Sequence, residues 1–321
     1  MHFETLTHAA TGETIGLELS MPGDAPPGLR IDSARGGLVR IATEDAPMLW
    51  ARIAPHYAGV WLLRRSGSAS PAILPPIRSR EARAFTMDDW LRHVARGLAE
   101  SERSPLGRGI WQFTELRAAP PTLRERARDA LPDHYASLDP DGLPAPSYGL
   151  LASLTLPRVH FERWWVNGSA SVFPLRDASE PDAARIKSWR KHARAGTLPP
   201  IVLWWVGALD MHLILDGHDR LAAAVAEGVR PRVPCLWQAR TEVFDDQGTW
   251  REEWQRNYER AFAQESRLSP ESREQLNQGL VNLFRGYRRP TTRARATPAM
   301  AERWREEVRV ELANDPEGLH R

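Results

Sequence analysis

Alternating apolar and polar residues predict strands near the start of the chain, and a longer period predicts helices after them. The run Phe3–Ser20 alternates on both sides of a glycine-containing turn, which indicates a β-hairpin. Val60–Leu63 is a short apolar run typical of a strand. A helix is predicted over Thr86–Glu100, capped by Thr86, and another is predicted to begin at Thr122.

The middle of the chain alternates strand and helix patterns. Ser179 can cap the first of its helices, and the glycines Gly196 and Gly228 stop the two helices. The predicted elements are, in order, strand Ser171–Leu175, helix Ser179–Ala195, strand Ile201–Val206, strand Met211–Leu215, helix Leu221–Glu227 and strand Pro234–Trp237.

Residues 241–321 follow helical periodicity. Helices are predicted over Trp250–Gln264, from Ser269 and from Pro298. Their large apolar side chains would be costly to leave in water, so we expect these helices to pack back on the body of the protein. The residues expected to make that contact are Trp250, Trp254, Phe262, Leu283, Phe284 and Trp304.

These patterns predict an α/β protein of the α+β kind, with a mixed sheet in the middle of the chain. The chain has 321 residues, of which 42% are hydrophobic and 26% are charged, and this is ordinary globular usage. Its length exceeds one average domain. We therefore divide it into an N-terminal accessory domain of mixed structure (1–155), a central mixed-sheet domain (156–240) and a helical extension (241–321).

Charge and cysteine content exclude several classes of protein. A formal charge of +2 argues against a chain that coats nucleic acid or an anionic membrane through bulk charge. Cys235 is the single cysteine, which excludes an internal disulfide and a zinc site built from several thiolates. No apolar run is long enough to span a bilayer, and the first residues lack a signal-peptide pattern. We expect a cytoplasmic protein with no membrane partner, and its preference for arginine over lysine is typical of a GC-rich bacterial genome.

Five residues between a strand and a helix carry the clearest candidate chemistry. Asp216-Gly217-His218-Asp219-Arg220 follows an apolar strand and opens the next helix. First-turn amides have no partners inside a helix and lie at its positive dipole end, so such a terminus binds phosphate. Gly217 would let a ligand approach the backbone, and Arg220 would add a forked, charged donor. An ordinary structural turn has the same outline, so both interpretations stay open at this point.

The same five residues supply the candidate site. The phosphate- and nucleotide-binding candidates are Gly217, His218 and Arg220. The candidates for acid or base catalysis are Asp216, His218 and Asp219. The carboxylates of Asp216 and Asp219 are also the candidate ligands of Mg²⁺.

Residues 171–238 resemble the ParB/sulfiredoxin superfamily in the order of their elements as well as in motif. The segment 196–201 is similar to the family's G-x-L-x-P-I pattern. Gly217, Arg220 and Ala223 fit its Gly-x-x-Arg-x-x-Ala box. The resemblance implies a ParB/sulfiredoxin-like mixed sheet that binds a nucleoside triphosphate or diphosphate, such as ATP or CTP, with the phosphates at this box.

Three functions follow from this resemblance and its departures. His218 stands where sulfiredoxins carry their reactive cysteine, so sulfinic-acid reductase chemistry is not expected. The first hypothesis is a nucleotide-dependent phosphotransferase or NTP hydrolase, with a small molecule or a protein as second partner. The second is a nucleic-acid-binding protein or nuclease that uses the arginines between Arg285 and Arg295. The third is a protein-interaction or immunity-type protein with a degenerate site.

Overall fold

The structure is a computed structural model. It describes residues 2–7, 12, 14–23, 26–44, 46–54, 59–67, 72–116, 158–163, 171–242, 250–263 and 287–314, with residues 269, 270, 273 and 277. The chain divides into two compact units. One comprises Met1–Gln238 together with Thr292–Arg321, and the other comprises Ala239–Thr291.

Strands and helices alternate irregularly along the described residues. In chain order they are β1 (His2–Thr7), β2 (Thr14–Met21), β3 (Arg30–Ala34), β4 (Leu38–Ala42), β5 (Pro47–Ile53), β6 (Gly59–Arg64), α1 (Ser79–Ala84), α2 (Met87–Glu100), β7 (Gly109–Glu115), β8 (Val159–Arg163), β9 (Ser171–Pro174), α3 (Ala184–Arg194), β10 (Val202–Val206), β11 (Met211–Asp216), α4 (His218–Ala226), β12 (Pro234–Glu242), α5 (Trp250–Phe262), β13 (Tyr287–Thr291), β14 (Arg295–Ala296) and α6 (Met300–Ala313).

The strands form two mixed sheets, which confirms the predicted α+β class. The larger sheet runs in the order β1-β2-β7-β12-β10-β11-β9, and the smaller sheet runs β14-β3-β4-β5-β6-β8. The predicted hairpin is present as the antiparallel pair β1–β2. In the larger sheet β10 pairs antiparallel with β11, whereas β12 and β9 lie parallel to β10 and β11 respectively. The larger sheet therefore combines strands from the first 120 residues with strands from the central segment.

The central strands bury both of their faces. Trp204 of β10 and Leu213 of β11 join a core that also takes residues from the smaller sheet and from α2. On the opposite face, Leu203 and Ile214 pack with Leu221 of α4 in a second cluster. Burial on two sides explains why the sequence of these strands is almost wholly apolar.

Helix α2 begins where its capping residue predicts, but α3 does not. The backbone amide of Asp89 donates to the Thr86 hydroxyl (3.3 Å), which caps α2 as expected. The predicted start of α3 at Ser179 is wrong, because the helix begins at Ala184. The Ser179 amide instead donates to a carboxylate oxygen of Asp219 (2.8 Å), so α4 fixes this residue outside any helix.

Helix α6 packs on the smaller sheet through a small apolar cluster. Trp304 is buried in this cluster, as predicted, and its indole N–H donates to the Val39 carbonyl (2.9 Å). The helix predicted from Thr122 lies outside the described residues, whereas Pro270, Arg273 and Asn277 of the helix predicted from Ser269 are described and helical. The side chains of Trp250, Trp254, Phe262, Leu283 and Phe284 lie outside the described part of the chain. Of the helices that are described, none is long and apolar enough to cross a bilayer.

Candidate functional site

The turn between β11 and α4 is shaped by Gly217, which is the N-cap of the helix. Its φ of +103° lies in the left-handed region, where a side chain is strained. A Cβ atom added there would lie 3.0 Å from a terminal nitrogen of Arg220 and 3.2 Å from the Ile201 Cα. The absence of a side chain thus serves the backbone turn and the packing of Arg220. The helix itself begins at His218, three residues before its predicted start.

His218, in the first turn of α4, is enclosed with no hydrogen-bond partner. It is 3% exposed, and neither ring nitrogen has a partner among the described residues. Burial, followed by the charges of Arg176, Arg64 and Arg220, holds the pKa of the imidazole well below its ordinary value. His218 is therefore neutral near pH 7, and its ring offers one N–H donor and one acceptor nitrogen.

Arg220 points into the protein. One of its terminal nitrogens donates to the Pro200 carbonyl (2.8 Å) and to the Asp216 carboxylate (2.9 Å). Its guanidinium carbon lies 5.8 Å from the centre of the Trp189 ring. Its Nε atom, by contrast, is buried without a partner in the described part of the chain. Arg220 therefore connects the start of α4 to the segment before β10, and its Nε–H remains available as a donor to a ligand.

The two candidate carboxylates are both engaged by arginines. Asp216 is paired with Arg220, as above. Asp219 is 2% exposed, and besides the Ser179 amide it accepts from Arg185 Nε (2.9 Å) and lies 3.7 Å from a terminal nitrogen of Arg176. Within the described ranges, no group of three or more histidine, cysteine or acidic side chains is placed to hold a metal ion. Neither carboxylate fits the role of a Mg²⁺ ligand, because each already neutralises a guanidinium.

Three further arginines belong to the site and were not predicted from the sequence. Arg176 and Arg185 approach Asp219, and Arg64, at the end of β6, pairs with Asp177. Arg64 is contributed by the smaller sheet, more than a hundred residues before the motif in the sequence, so no local pattern could reveal it. Arg176 and Arg185 lie closer to the motif in the sequence. Their positions on either side of the first residue of α3 are the sequence signal that could have indicated them.

The cluster has more buried donors than buried acceptors. Nitrogens without a partner in the described chain include Nε of Arg64 and of Arg220, both ring atoms of His218, and the indole nitrogen of Trp189. An unsatisfied buried donor costs about 1–3 kcal/mol, so a set of them on one site is a functional signal. The group that would satisfy them must be an acceptor, and an anion would satisfy the guanidinium donors best.

We expect the free energy of unfolding to fall as the pH drops below about 6.5, the ordinary pKa of histidine. Folded His218 has a lowered pKa, so at mildly acidic pH the unfolded chain binds a proton that the folded protein does not, and acid favours unfolding. One proton gives a slope of at most about 1.4 kcal/mol per pH unit. Urea unfolding of the wild type and of His218→Gln, from about pH 7.5 to about pH 5.5, isolates this contribution as the difference between the two slopes. Equal slopes would contradict the lowered pKa.

The other sequence candidates have ordinary structural roles where they are described. Cys235 is buried in β12, and burial raises the pKa of its thiol, so it is not a reactive thiolate. Of the arginines between 285 and 295, Arg293 donates to the Arg108 carbonyl (3.1 Å) and Arg295 pairs with Asp32 (3.0 Å). The side chains of Arg285, Arg288 and Arg289 lie outside the described residues.

The site thus rests on its own geometry. Comparisons of the chain with protein-family models, with curated proteins and with solved structures return no match.

Proposed function

We propose that the protein binds a nucleotide, ATP or CTP, with its phosphates at the first turn of α4. The observation that carries the proposal is the buried set of unpartnered donors on His218, Arg64 and Arg220. Phosphate oxygens are strong acceptors that pair well with guanidinium groups. The start of the helix adds amides without intrahelical partners and a positive dipole end, and both favour the same ligand.

Charge supports an anionic ligand. Four arginines meet at the site (Arg64, Arg176, Arg185 and Arg220), and the carboxylates paired with them are those of Asp177, Asp216 and Asp219. His218 is neutral, so the cluster keeps an excess of one positive charge before the helix dipole is counted. A phosphate group would remove this excess. The nucleotide, rather than a simple phosphate ester, is chosen because of the resemblance of residues 171–238 to nucleotide-binding proteins.

The partly exposed arginines give the ligand its approach. Arg185 is 57% exposed and Arg176 is 21% exposed, while Arg64 and Arg220 are buried. We assign the first contact with a phosphate to Arg176 and Arg185, and the inner contact to His218. A neutral imidazole beside the phosphates can accept a proton from an attacking water or hydroxyl, which keeps phosphotransferase or NTP hydrolase activity within this proposal.

Arg176→Gln should weaken nucleotide binding by about ten- to a hundredfold, since a hydrogen bond to a charged group contributes roughly 1.5–3 kcal/mol. Arg176 is chosen over Arg220 because it is not needed to hold β10 and α4 together. Calorimetric titration with ATP, CTP, GTP and ADP measures the affinity, and release of phosphate in the same samples measures turnover.

Arg309→Gln is the matched control, because Arg309 lies on the exposed face of α6, where it pairs with Glu306. It should bind like the wild type. If the wild type gives no heat of binding with any of the four nucleotides, the proposed function is wrong. Equal affinities of wild type and Arg176→Gln would overturn the assignment of the phosphates to this arginine.

A further inference from the structure

We infer that the site takes the free nucleotide anion, and that its arginines replace the divalent cation that usually accompanies nucleotide phosphates. The inference rests on the proposed function and goes beyond it, since it fixes the ionic form of the ligand. It comes from a mismatch in the site: the residues that could hold Mg²⁺ are committed to arginine, and the donors left over are cationic or neutral nitrogens.

Asp219 is the carboxylate best placed for a metal, and it is the most strongly engaged. One of its oxygens accepts from the Ser179 amide, and the other faces Arg185 and Arg176. Its side chain is 3% exposed, so a metal would have to displace an arginine from a carboxylate that has almost no access to water. Asp219 therefore acts as a positioning residue that aims two arginines.

Asp216 is no better placed than Asp219 to bind a metal ion. Its carboxylate balances Arg220, which has no other acidic partner among the described contacts. Mg²⁺ demands near-octahedral oxygen ligands and gives up its water reluctantly, so a site that offers it no uncommitted carboxylate is a poor one. The buried guanidinium of Arg220, in contrast, would repel a cation and attract phosphate oxygens.

Arginine can do the electrostatic work of the metal. Its planar fork matches two phosphate oxygens at once and keeps its charge at all ordinary pH values. Complexation with Mg²⁺ masks the phosphate charge that these arginines recognise. Excess Mg²⁺ should then compete for the ligand instead of assisting its binding.

The test is calorimetric titration of the full chain with ATP and CTP, once in EDTA and once in excess Mg²⁺. We expect binding in EDTA and an apparent affinity about tenfold weaker in Mg²⁺, the change expected from losing roughly one charge-assisted contact. Binding that requires Mg²⁺ would overturn this inference and leave the proposed function standing. No binding under either condition would overturn both.

Asp219→Asn separates the two roles of that residue. If Asp219 aims Arg176 and Arg185, the variant should lose the same factor of affinity in EDTA and in Mg²⁺, because the arginines lose their anchor in both. If Asp219 holds a metal, the loss should appear in Mg²⁺ alone. Circular dichroism of the variant checks that it is folded, and Asp219→Glu should restore part of the affinity by keeping the carboxylate.

Discussion

Arg220→Ala should lower the free energy of unfolding by about 3–5 kcal/mol, the cost of removing one member of a buried ion pair. The variant leaves the Asp216 carboxylate and the Pro200 carbonyl without their donor, and it opens a cavity beside Trp189. Urea unfolding followed by tryptophan fluorescence measures the loss. Arg220→Lys should recover only part of it, because an ammonium keeps the charge but cannot reproduce the fork.

Arg185→Ala is the control for this experiment. Arg185 also pairs with a carboxylate of the site, but it is 57% exposed, so its removal should change stability little. A similar loss in both variants would show that burial is not the reason for the cost. A loss below about 1 kcal/mol for Arg220→Ala would show that this arginine is not the structural tie described here, since exposed pairs give values of that size.

The Gly-x-x-Arg motif has a structural role in this chain. Gly217 holds a left-handed φ, and Arg220 fills the space that a Cβ atom would need. The motif therefore builds a rigid corner between β11 and α4, and it supplies ligand contacts only through the atoms that this corner leaves unpartnered. A loss of binding on substitution of Arg220 would combine both roles, and for that reason Arg176 gives the cleaner functional test.

The strands could be predicted from the sequence because their burial leaves a local trace. The apolar run before the turn at residues 207–210 and the one after it are β10 and β11, and both lie inside the larger sheet. The link from these strands through β12 to β7 and β2 left no such trace, since strand order depends on contacts between distant segments. The sequence therefore revealed the early hairpin, β6 and the central strands, but not β3–β5, β7 and β8. The prediction that residues 241–321 are helical is wrong for β13 and β14, and the sequence could not reveal that the early hairpin joins the central sheet.

The site was predicted only as far as one segment could show it. Asp216, Gly217, His218, Asp219 and Arg220 are consecutive, and the structure places them at a helix start as expected. What each side chain faces was not predictable, because their distant partners lie before α3, within α3 and just before β10. Asp219 illustrates the limit: a carboxylate in a motif suggests a metal, whereas the arginines that occupy it come from elsewhere in the chain.

A second charged network, on the far face of the smaller sheet, holds helix α6 in place. Arg40 of β4 is 3% exposed, donates to Glu307 of α6 through Nε (2.7 Å) and faces Asp32 of β3 (3.3 Å). Glu307 also accepts from the indole N–H of Trp50 (2.8 Å). Burial opposes ionisation of Glu307, but the bonds from Arg40, Trp50 and Arg303 outweigh it and hold its pKa below the ordinary value. The carboxylate is therefore charged at neutral pH, with Arg40 as its buried cationic partner and Arg303 as its exposed one.

Arg40→Met should cost about 3–5 kcal/mol of the free energy of unfolding, because it removes the buried partner that Asp32 and Glu307 share. The two carboxylates then keep only exposed arginines as cationic partners, Arg295 on Asp32 and Arg303 on Glu307. The control is Arg309→Met on α6, the helix that carries Glu307. The ion pair of Arg309 with Glu306 is exposed, so no measurable change is expected. A double variant, Arg40→Met with Glu307→Leu, should recover part of the loss, since it removes a carboxylate that has lost its buried partner and adds apolar contact to the cluster around Trp304. Recovery in the double variant would identify buried charge as the cause. A double variant that is as unstable as Arg40→Met would instead assign the cost to lost packing of the long arginine stem.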